Sequence, residues 1–238
     1  MSCVIVIRKA RADDEPARAA LIRSSYAGYN RDAFFLFFFQ ELTLQMGVLL
    51  GAVLFIFCGV SLRALLLLPP ALAAAVQLAV WITHAAIADK RVQEMRKESV
   101  GLVAEYHGPL VAEPRRLRPT VVVAEHWRPG GDGPLHTQVV GTASVSEFWG
   151  PEPAGWLHGL AVHADWRRRG AGAALARAAA LCVQAGALHA VLSELQSAAA
   201  CTLRGQGFRP RAAYHRRLCG ARLTLALQHL AVDLPTHV

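Results

Sequence analysis

The sequence predicts an α+β fold: a mixed, mostly antiparallel sheet flanked by helices, with an inserted transmembrane helical hairpin. Short apolar runs of strand length alternate with Ala/Leu-rich or charged segments of helical length along most of the chain. Two long runs without any charge, residues 42–62 and 64–88, stand between the first helix and the rest of the sheet. A basic turn with two glycines, residues 167–172, joins an apolar strand to a helix.

The chain opens with a predicted strand and helix. Residues 4–8 form an apolar run suited to a strand. Residues 13–16 then place acids and a proline where a helix begins, and residues 17–25 continue it. We therefore expect residues 1–33 to start a folded domain, residues 34–89 to be a membrane insertion, and residues 90–238 to complete the domain.

The membrane insertion is predicted from its aromatic start and its two uncharged runs. Aromatic residues at 34–39, just ahead of an apolar run, suit the bilayer interface. Each uncharged run is long enough for the ~20 residues that cross about 30 Å of hydrocarbon. Buried core helices are the alternative, but two of them are too much apolar length for a domain of this size. The connection lies at residues 63–64 or 69–70, and the hairpin is either two full spans or a re-entrant loop.

The ends of the insertion should lie on the same side of the membrane. The opening strand must pair with strands that follow residue 120, which requires an even number of crossings. Basic residues on both flanks point to the cytosolic side. They are Arg8, Lys9, Arg11, Arg18, Arg23 and Arg31 before the insertion, and Lys90, Arg91, Arg96 and Lys97 after it.

The second part of the domain is predicted from periodicity and turn residues. Residues 89–106 alternate charged and apolar positions at helical spacing and predict a helix. Residues 120–125 and 138–145 predict an antiparallel hairpin around a Pro/Gly turn. The later predicted elements are a central strand at 156–162, a helix at 173–183, a strand at 187–195, a helix at 197–206 and a hairpin of 213–218 with 222–230.

Composition restricts the partners. The 238 residues carry a net charge of +8 and are 54% apolar. A basic balance fits an anionic ligand, an anionic membrane surface or nucleic acid, and a solvated arginine-rich surface explains it equally well. Nucleic acid is not expected, because the chain has no nucleic-acid-binding motif and its basic residues follow the turn and the membrane flanks. The five scattered cysteines show no metal-ligand spacing, so we predict no metal site.

The basic turn after the central strand has the features of an anion cradle. Glycines allow a tight turn and a close approach of the backbone to a ligand. The first turn of the following helix presents free N–H groups and the positive end of the helix dipole. The residues expected to hold an anion are Arg167, Arg168, Arg169, Gly170, Ala171 and Gly172.

The spacing Arg167-x-x-Gly170-x-Gly172 resembles the acetyl-CoA loop of the GNAT acyltransferase superfamily. Residues 157–163 look most like the arylalkylamine N-acetyltransferases, and residues 207–208 (Gly-Phe) stand at the usual distance. The insertion after the first helix is similar to that of the membrane-bound N-acetyltransferases for cysteine conjugates or aspartate. The resemblance implies acetyl-CoA as co-substrate, with its pyrophosphate on the loop. Its pantetheine arm would bond the main chain of Leu160, Ala161 and Val162.

The resemblance also indicates catalytic candidates. His158, on the central strand, matches a histidine on the family's proton-removal path, and an imidazole with a pKa near 6.5 can accept a proton at neutral pH. A packed structural histidine is the equal alternative. Glu125 and Glu147, near the ends of neighbouring predicted strands, are weaker candidates for a base that acts through water.

Two positions depart from the family pattern. Trp156 stands where the arylalkylamine enzymes have a second histidine, and Leu203 stands where many members have a tyrosine that protonates the leaving thiolate. Thr202 or Cys201 could supply that proton instead.

These residues and the resemblance together predict a membrane-anchored N-acetyltransferase. Its acceptor would be a primary amine on a small molecule, an amino-acid conjugate or a protein lysine. The alternative is a weak or inactive GNAT-fold membrane protein that binds CoA or a partner. Family habit indicates the endoplasmic reticulum, with the domain on the cytosolic side, and the oligomeric state is left open.

Overall fold

The computed structural model describes residues 3–109, 117–124, 136–150, 152–219 and 223–234. The strands are β1 (Val4–Lys9), β2 (Val100–Gly108), β3 (Thr120–Val123), β4 (His136–Phe148), β5 (Ala154–Val162), β6 (Ala187–Ser193), β7 (Arg209–Cys219) and β8 (Leu223–Asp233). The helices are α1 (Glu15–Ala27), α2 (Asn30–Phe38), α3 (Glu41–Ile56), α4 (Leu62–Leu65), α5 (Leu68–Met95), α6 (Ala171–Cys182) and α7 (Ser197–Arg204).

The described strands form one sheet in the order β3-β1-β2-β4-β5-β6-β8-β7. Neighbouring strands are antiparallel except for two parallel pairs, β1 with β3 and β5 with β6. This confirms the predicted mixed, mostly antiparallel sheet. The Ala/Leu-rich helix α6 supplies buried residues such as Leu175 and Ala179 to the main core. A second cluster joins α1 to the end of α5 through Ala19, Ile22, Val92 and Met95.

The helix predicted over residues 89–106 is wrong for most of its length. Residues 89–95 are helical, but they form the end of α5, which stops at Met95. Val100–Gly108 is strand β2. The helical charge pattern stops at Glu98, after which Leu102, Ala104 and Tyr106 follow strand spacing and are buried. β2 lies between β1 and β4, and these two strands satisfy the backbone hydrogen-bonding groups on both edges of β2.

The hairpin predicted from residues 120–125 and 138–145 is also wrong. β3 pairs in parallel with β1, whereas β4 pairs with β2 and β5. Turn residues between two apolar runs show that the chain reverses, but they do not show which edges of the sheet the runs will join.

The apolar segments form helices whose surfaces are largely exposed. Among the described residues, the run Leu62–Met95 is long and apolar enough to cross a membrane, and only 6% of its most apolar window is buried. Helix α3 adds a second candidate only if it forms one span with the helices before it, across a bend of 61°. The turn lies between α3 and α4, where Gly59 has φ +61, and not at residues 63–64 or 69–70. The prolines at 69–70 instead occupy the first turn of α5, where a missing N–H costs no hydrogen bond.

Candidate functional site

The site begins where two parallel strands separate. β5 and β6 pair at Gly155 with Leu188 and at Trp156 with His189, and no later register pair joins them among the described residues. The rest of β5 therefore turns backbone N–H and C=O groups towards a gap. Unpaired backbone groups at such an opening can hydrogen-bond an extended ligand.

A bulge changes the direction of β5 at the same point. Thr142 pairs with Ala161 and Ser144 pairs with His158, so Gly159 and Leu160 together face one residue of β4. Gly159 has φ +62, a backbone conformation that side chains other than hydrogen disfavour. The bulge sets the direction of the backbone at Leu160, Ala161 and Val162 relative to the gap between β5 and β6. These are the three residues predicted to bond a pantetheine arm.

The basic loop follows directly after β5 and leads into α6. Arg168 and Gly170 have φ values of +61 and +82, and Gly170 is the N-cap of the helix. The first N–H groups of α6, from Ala171 and Gly172 onward, have no intrahelical acceptor, as at any helix start. The loop and the first turn of α6 therefore present several backbone N–H groups that can donate hydrogen bonds to a ligand.

The arginines of the loop are partly ordered by the strand and by a buried tryptophan. The Nε of Arg167 donates to the carbonyl oxygen of Val162 at 3.1 Å. The guanidinium of Arg169 lies 5.0 Å from the ring centroid of Trp166, and its Nη1 is buried with no hydrogen-bond partner among the described residues. A buried guanidinium nitrogen without a partner, beside free helix N–H groups, fits an anionic ligand such as a phosphate.

A cleft lies between β5 and β6, and its lining includes aromatic and basic side chains. Its lining includes Tyr26 from α1, Arg91 from α5, Trp156 and His158 from β5, and Leu203 from α7. Arg91 lies 5.3 Å over the ring of Trp156 and is ion-paired with Glu94 at 2.5 Å. The last turns of the apolar helix α5 thus form part of the cleft wall.

His158 is buried in this cleft and is 6% exposed. Its Nε2 lies 2.9 Å from the Oγ of Ser146, and its Nδ1 has no hydrogen-bond partner among the described residues. Burial, with a smaller contribution from the positive charge of Arg91, lowers the pKa of His158 to about 4. The imidazole is therefore neutral at pH 7 and is a weaker base than an ordinary histidine.

Among the described residues, the candidates for the thiolate acid and the candidate base Glu147 do not line this cleft. Leu203 occupies the position of the family tyrosine and is 1% exposed. The hydroxyl of Thr202 donates back to the carbonyl of Ala198 at 2.9 Å, and neither Thr202 nor Cys201 lines the cleft. Glu147 is exposed. Glu125 lies outside the described residues, so its role stays a prediction.

Three residues of the site were missed by sequence reasoning. Gly159 could have been found, because an isolated glycine in a strand pattern indicates a bulge or a close backbone approach. Arg91 was interpreted as a membrane flank, and Ser146 lies just beyond the strand predicted at 138–145. Their proximity to His158 depends on the packing of α5 and β4, which local sequence does not show.

One family model matches the part of the chain that holds this site. The model of the Acetyltransferase (GNAT) family matches residues 93–208, just under half of the chain. This range includes β5, the basic loop and α6. No curated protein sequence matches the chain.

Three similar solved structures share low sequence identity with the chain. A GNAT-family acetyltransferase from Streptococcus pneumoniae has 10% identity and a TM-score of 0.38, covering 63% of this chain and 76% of that one. Arabidopsis thaliana NAA60 in complex with a bisubstrate analogue has 12% identity and a TM-score of 0.42, covering 62% and 83%. A GNAT acetyltransferase from Elizabethkingia anophelis with acetyl-CoA bound has 11% identity and a TM-score of 0.39, covering 61% and 82%. The chain is thus similar to the Acetyltransferase (GNAT) family over residues 93–208.

Proposed function

We propose that the chain is an N-acetyltransferase that moves an acetyl group from acetyl-CoA to a primary amine. One observation carries this proposal: a bulged strand that separates from its parallel neighbour leads directly into a basic, glycine-containing loop at a helix start. This arrangement offers backbone groups for an extended arm and donors for a diphosphate in continuous order along the chain.

Each part of the arrangement has a role in the proposal. Arg167, Arg169 and the first N–H groups of α6 would bind the pyrophosphate, and the backbone of Leu160 to Val162 would bind the pantetheine arm. Acetyl-CoA supplies an activated thioester. Backbone N–H groups beyond the bulge would polarise its carbonyl oxygen, which gains negative charge as the amine attacks. As the C–N bond forms, the C–S bond breaks, and CoA leaves as its thiol with the proton that the amine gives up.

The amine would enter through the cleft that His158 lines. Neutral His158 could accept a hydrogen bond from the amine at Nδ1, which orients the nitrogen towards the thioester. With Ser146 on its other nitrogen, the imidazole is held in one orientation. Small amines, amino-acid conjugates and protein lysines are the acceptor candidates.

The proposal is tested by acetyl-CoA binding to the detergent-solubilised protein, measured by calorimetry. We expect micromolar binding by the wild type and none by the double variant Gly170→Trp with Gly172→Trp, because both side chains would cover the N–H groups at the start of α6. Gly205→Trp is the control, since Gly205 is exposed and has φ −63. A well-folded wild type that does not bind would rule out the enzyme.

A non-catalytic CoA-binding protein is the second candidate function. It is favoured by Leu203 at the tyrosine position and by the low pKa of His158. A wild type that binds acetyl-CoA, but releases no free CoA thiol with any member of an amine panel, would favour this candidate. Thiol release that depends on an added amine would reject it.

We extend the proposal to a membrane anchor, with the protein in the endoplasmic reticulum and the domain on the cytosolic side. Large apolar side chains on α3 and α5 are exposed, among them Val48, Leu49, Leu78 and Ile82. Side chains added at Gly47 and Gly51 would meet Leu72 and Leu68, so these glycines permit α3 to approach the following helix closely. Small residues at this spacing are typical of helices that pack within a bilayer.

The anchor predicts resistance to alkaline carbonate extraction. We expect the wild type to remain in the membrane pellet and the double variant Leu78→Arg with Ile82→Arg to be released. Each arginine near a span centre costs about 2.5–3.5 kcal/mol of insertion free energy. The variant Leu78→Ala with Ile82→Ala is the control. A wild type that extracts as readily as a soluble marker would contradict the anchor, and imaging against a reticulum marker tests the organelle.

A further inference from the structure

A buried arginine from α1 reaches the strand opposite the bulge. Arg18 is 4% exposed. Its Nε donates to the Oγ1 of Thr142 at 2.9 Å, and its Nη2 donates to the Oγ of Ser144 at 3.1 Å. The same guanidinium is paired with both carboxylate oxygens of Glu98, at 2.6 and 2.7 Å. Glu98 therefore balances the positive charge of Arg18, and the Nε and Nη2 groups of Arg18 also bond the two hydroxyls of β4.

The two hydroxyls that Arg18 binds stand on either side of the bulge. Thr142 and Ser144 flank Ala143, and the bulged pair of Gly159 and Leu160 faces this part of β4. Both hydroxyl residues are 0% exposed. The Oγ of Ser144 lies 3.3 Å from where a Cβ on Gly159 would stand. The planar guanidinium of Arg18 thus bridges the two residues of β4 between which the register with β5 shifts.

The surrounding sequence leaves space for this group. Gly101 of β2 pairs with Ser144, and a Cβ on Gly101 would collide with the carboxylate of Glu98 and lie 2.7 Å from Nη1 of Arg18. Glu98 itself follows the end of α5. The arginine therefore links α1, the segment after α5 and β4 at one buried point.

We propose that Arg18 is a positioning residue for the acyl-transfer site, acting through Thr142 and Ser144 to hold the bulge in β5. By fixing β4 on both sides of Ala143, it keeps Gly159 in its left-handed conformation and keeps the backbone beyond it aimed into the β5–β6 gap. This inference rests on the proposed acetyl-CoA-dependent function. Among the described residues, the side-chain hydrogen bonds of Arg18 go to Glu98, Thr142 and Ser144, none of which belongs to the loop.

The test separates the hydroxyl contacts from the ion pair. The double variant Thr142→Val with Ser144→Ala removes both contacts to β4 and leaves Arg18 paired with Glu98. Thr142→Ser keeps a hydroxyl and serves as the conservative control. Ser24→Ala is a second control, because it removes a hydroxyl of α1 that donates to the carbonyl oxygen of Leu21 within the same helix. Arg18→Met is the stronger variant, and the double variant decides the test if Arg18→Met does not fold.

Two measurements on the detergent-solubilised full chain decide the inference. Backbone hydrogen exchange, without ligand, should become at least tenfold faster over residues 158–161 in the double variant and should stay unchanged in α6 and in both controls. The Kd for acetyl-CoA should rise at least tenfold. Unchanged exchange at the bulge, or an increase spread evenly over the domain, would overturn the positioning role. A wild type that fails to bind acetyl-CoA would overturn the proposed function, while the exchange comparison would still decide the role of Arg18.

Discussion

Gly159→Val is expected to lose acetyl-CoA binding by more than tenfold while the protein keeps its overall fold. Gly159 has φ +62, and a left-handed backbone costs a side-chain-bearing residue about 1–2 kcal/mol. A β-branched side chain would also press on Ser144, since even a Cβ there lies 3.3 Å from its Oγ. Relief of this strain requires the bulge to flatten. A one-residue change of register turns every later side chain and amide of β5 to the opposite face.

Calorimetry with acetyl-CoA and thermal unfolding together check this result. Gly205→Ala is the matched control, because it adds a methyl group to a glycine with φ −63. The control should bind as the wild type does. Equal affinity in Gly159→Val would show that the backbone beyond the bulge does not hold the co-substrate.

The second large effect is a loss of stability in acid that depends on His158. The pKa of His158 is lowered from 6.5 to about 4 in the folded protein, chiefly by burial. The unfolded chain therefore binds more protons between these values, so this contribution to stability is complete above pH 6.5 and is lost as pH falls towards 4. The difference corresponds to at most about 3 kcal/mol of unfolding free energy.

Denaturant unfolding at pH 7 and pH 4 should show this loss in the wild type and a smaller loss in His158→Gln. The glutamine can still hydrogen-bond Ser146 but cannot take up a proton. His189 and His229 also have lowered pKa values because of burial, so the quantity to compare is the difference between the two proteins. The same pH dependence in both would show that His158 does not titrate as its burial requires.

Local sequence was sufficient for most elements of the fold. Strand β1, helix α1 with its acidic and proline-containing start, the central strand β5, helix α6 and the last hairpin all lie close to their predicted positions. Their signals are short-range: apolar period, helix propensity and turn residues. Strand pairing joins residues far apart in sequence, and for that reason the partner of β3 was predicted incorrectly. Strand β2 was predicted as helix because the charge pattern of the end of α5 runs up to it.

The basic loop before α6 and the position of His158 on the central strand were also predicted from the sequence. Arg167, Gly170 and Gly172 are close in sequence, so their spacing alone indicates a turn at a helix start. What the sequence could not supply was the environment of these residues. The low pKa of His158 depends on its burial and on Arg91, which comes from α5, and the bulge at Gly159 is flanked by hydroxyls that bind Arg18 from α1.

The sequence by itself therefore determined most of the elements, the basic turn before α6 and the two uncharged segments, because each follows from residues within a few positions of one another. Only the tertiary structure decided which strands pair, where β5 parts from β6, and how the end of the apolar helix α5 enters the wall of the cleft. These features arise from burial and from contacts between distant segments. Their energies depend on what surrounds a residue, and local pattern does not record that.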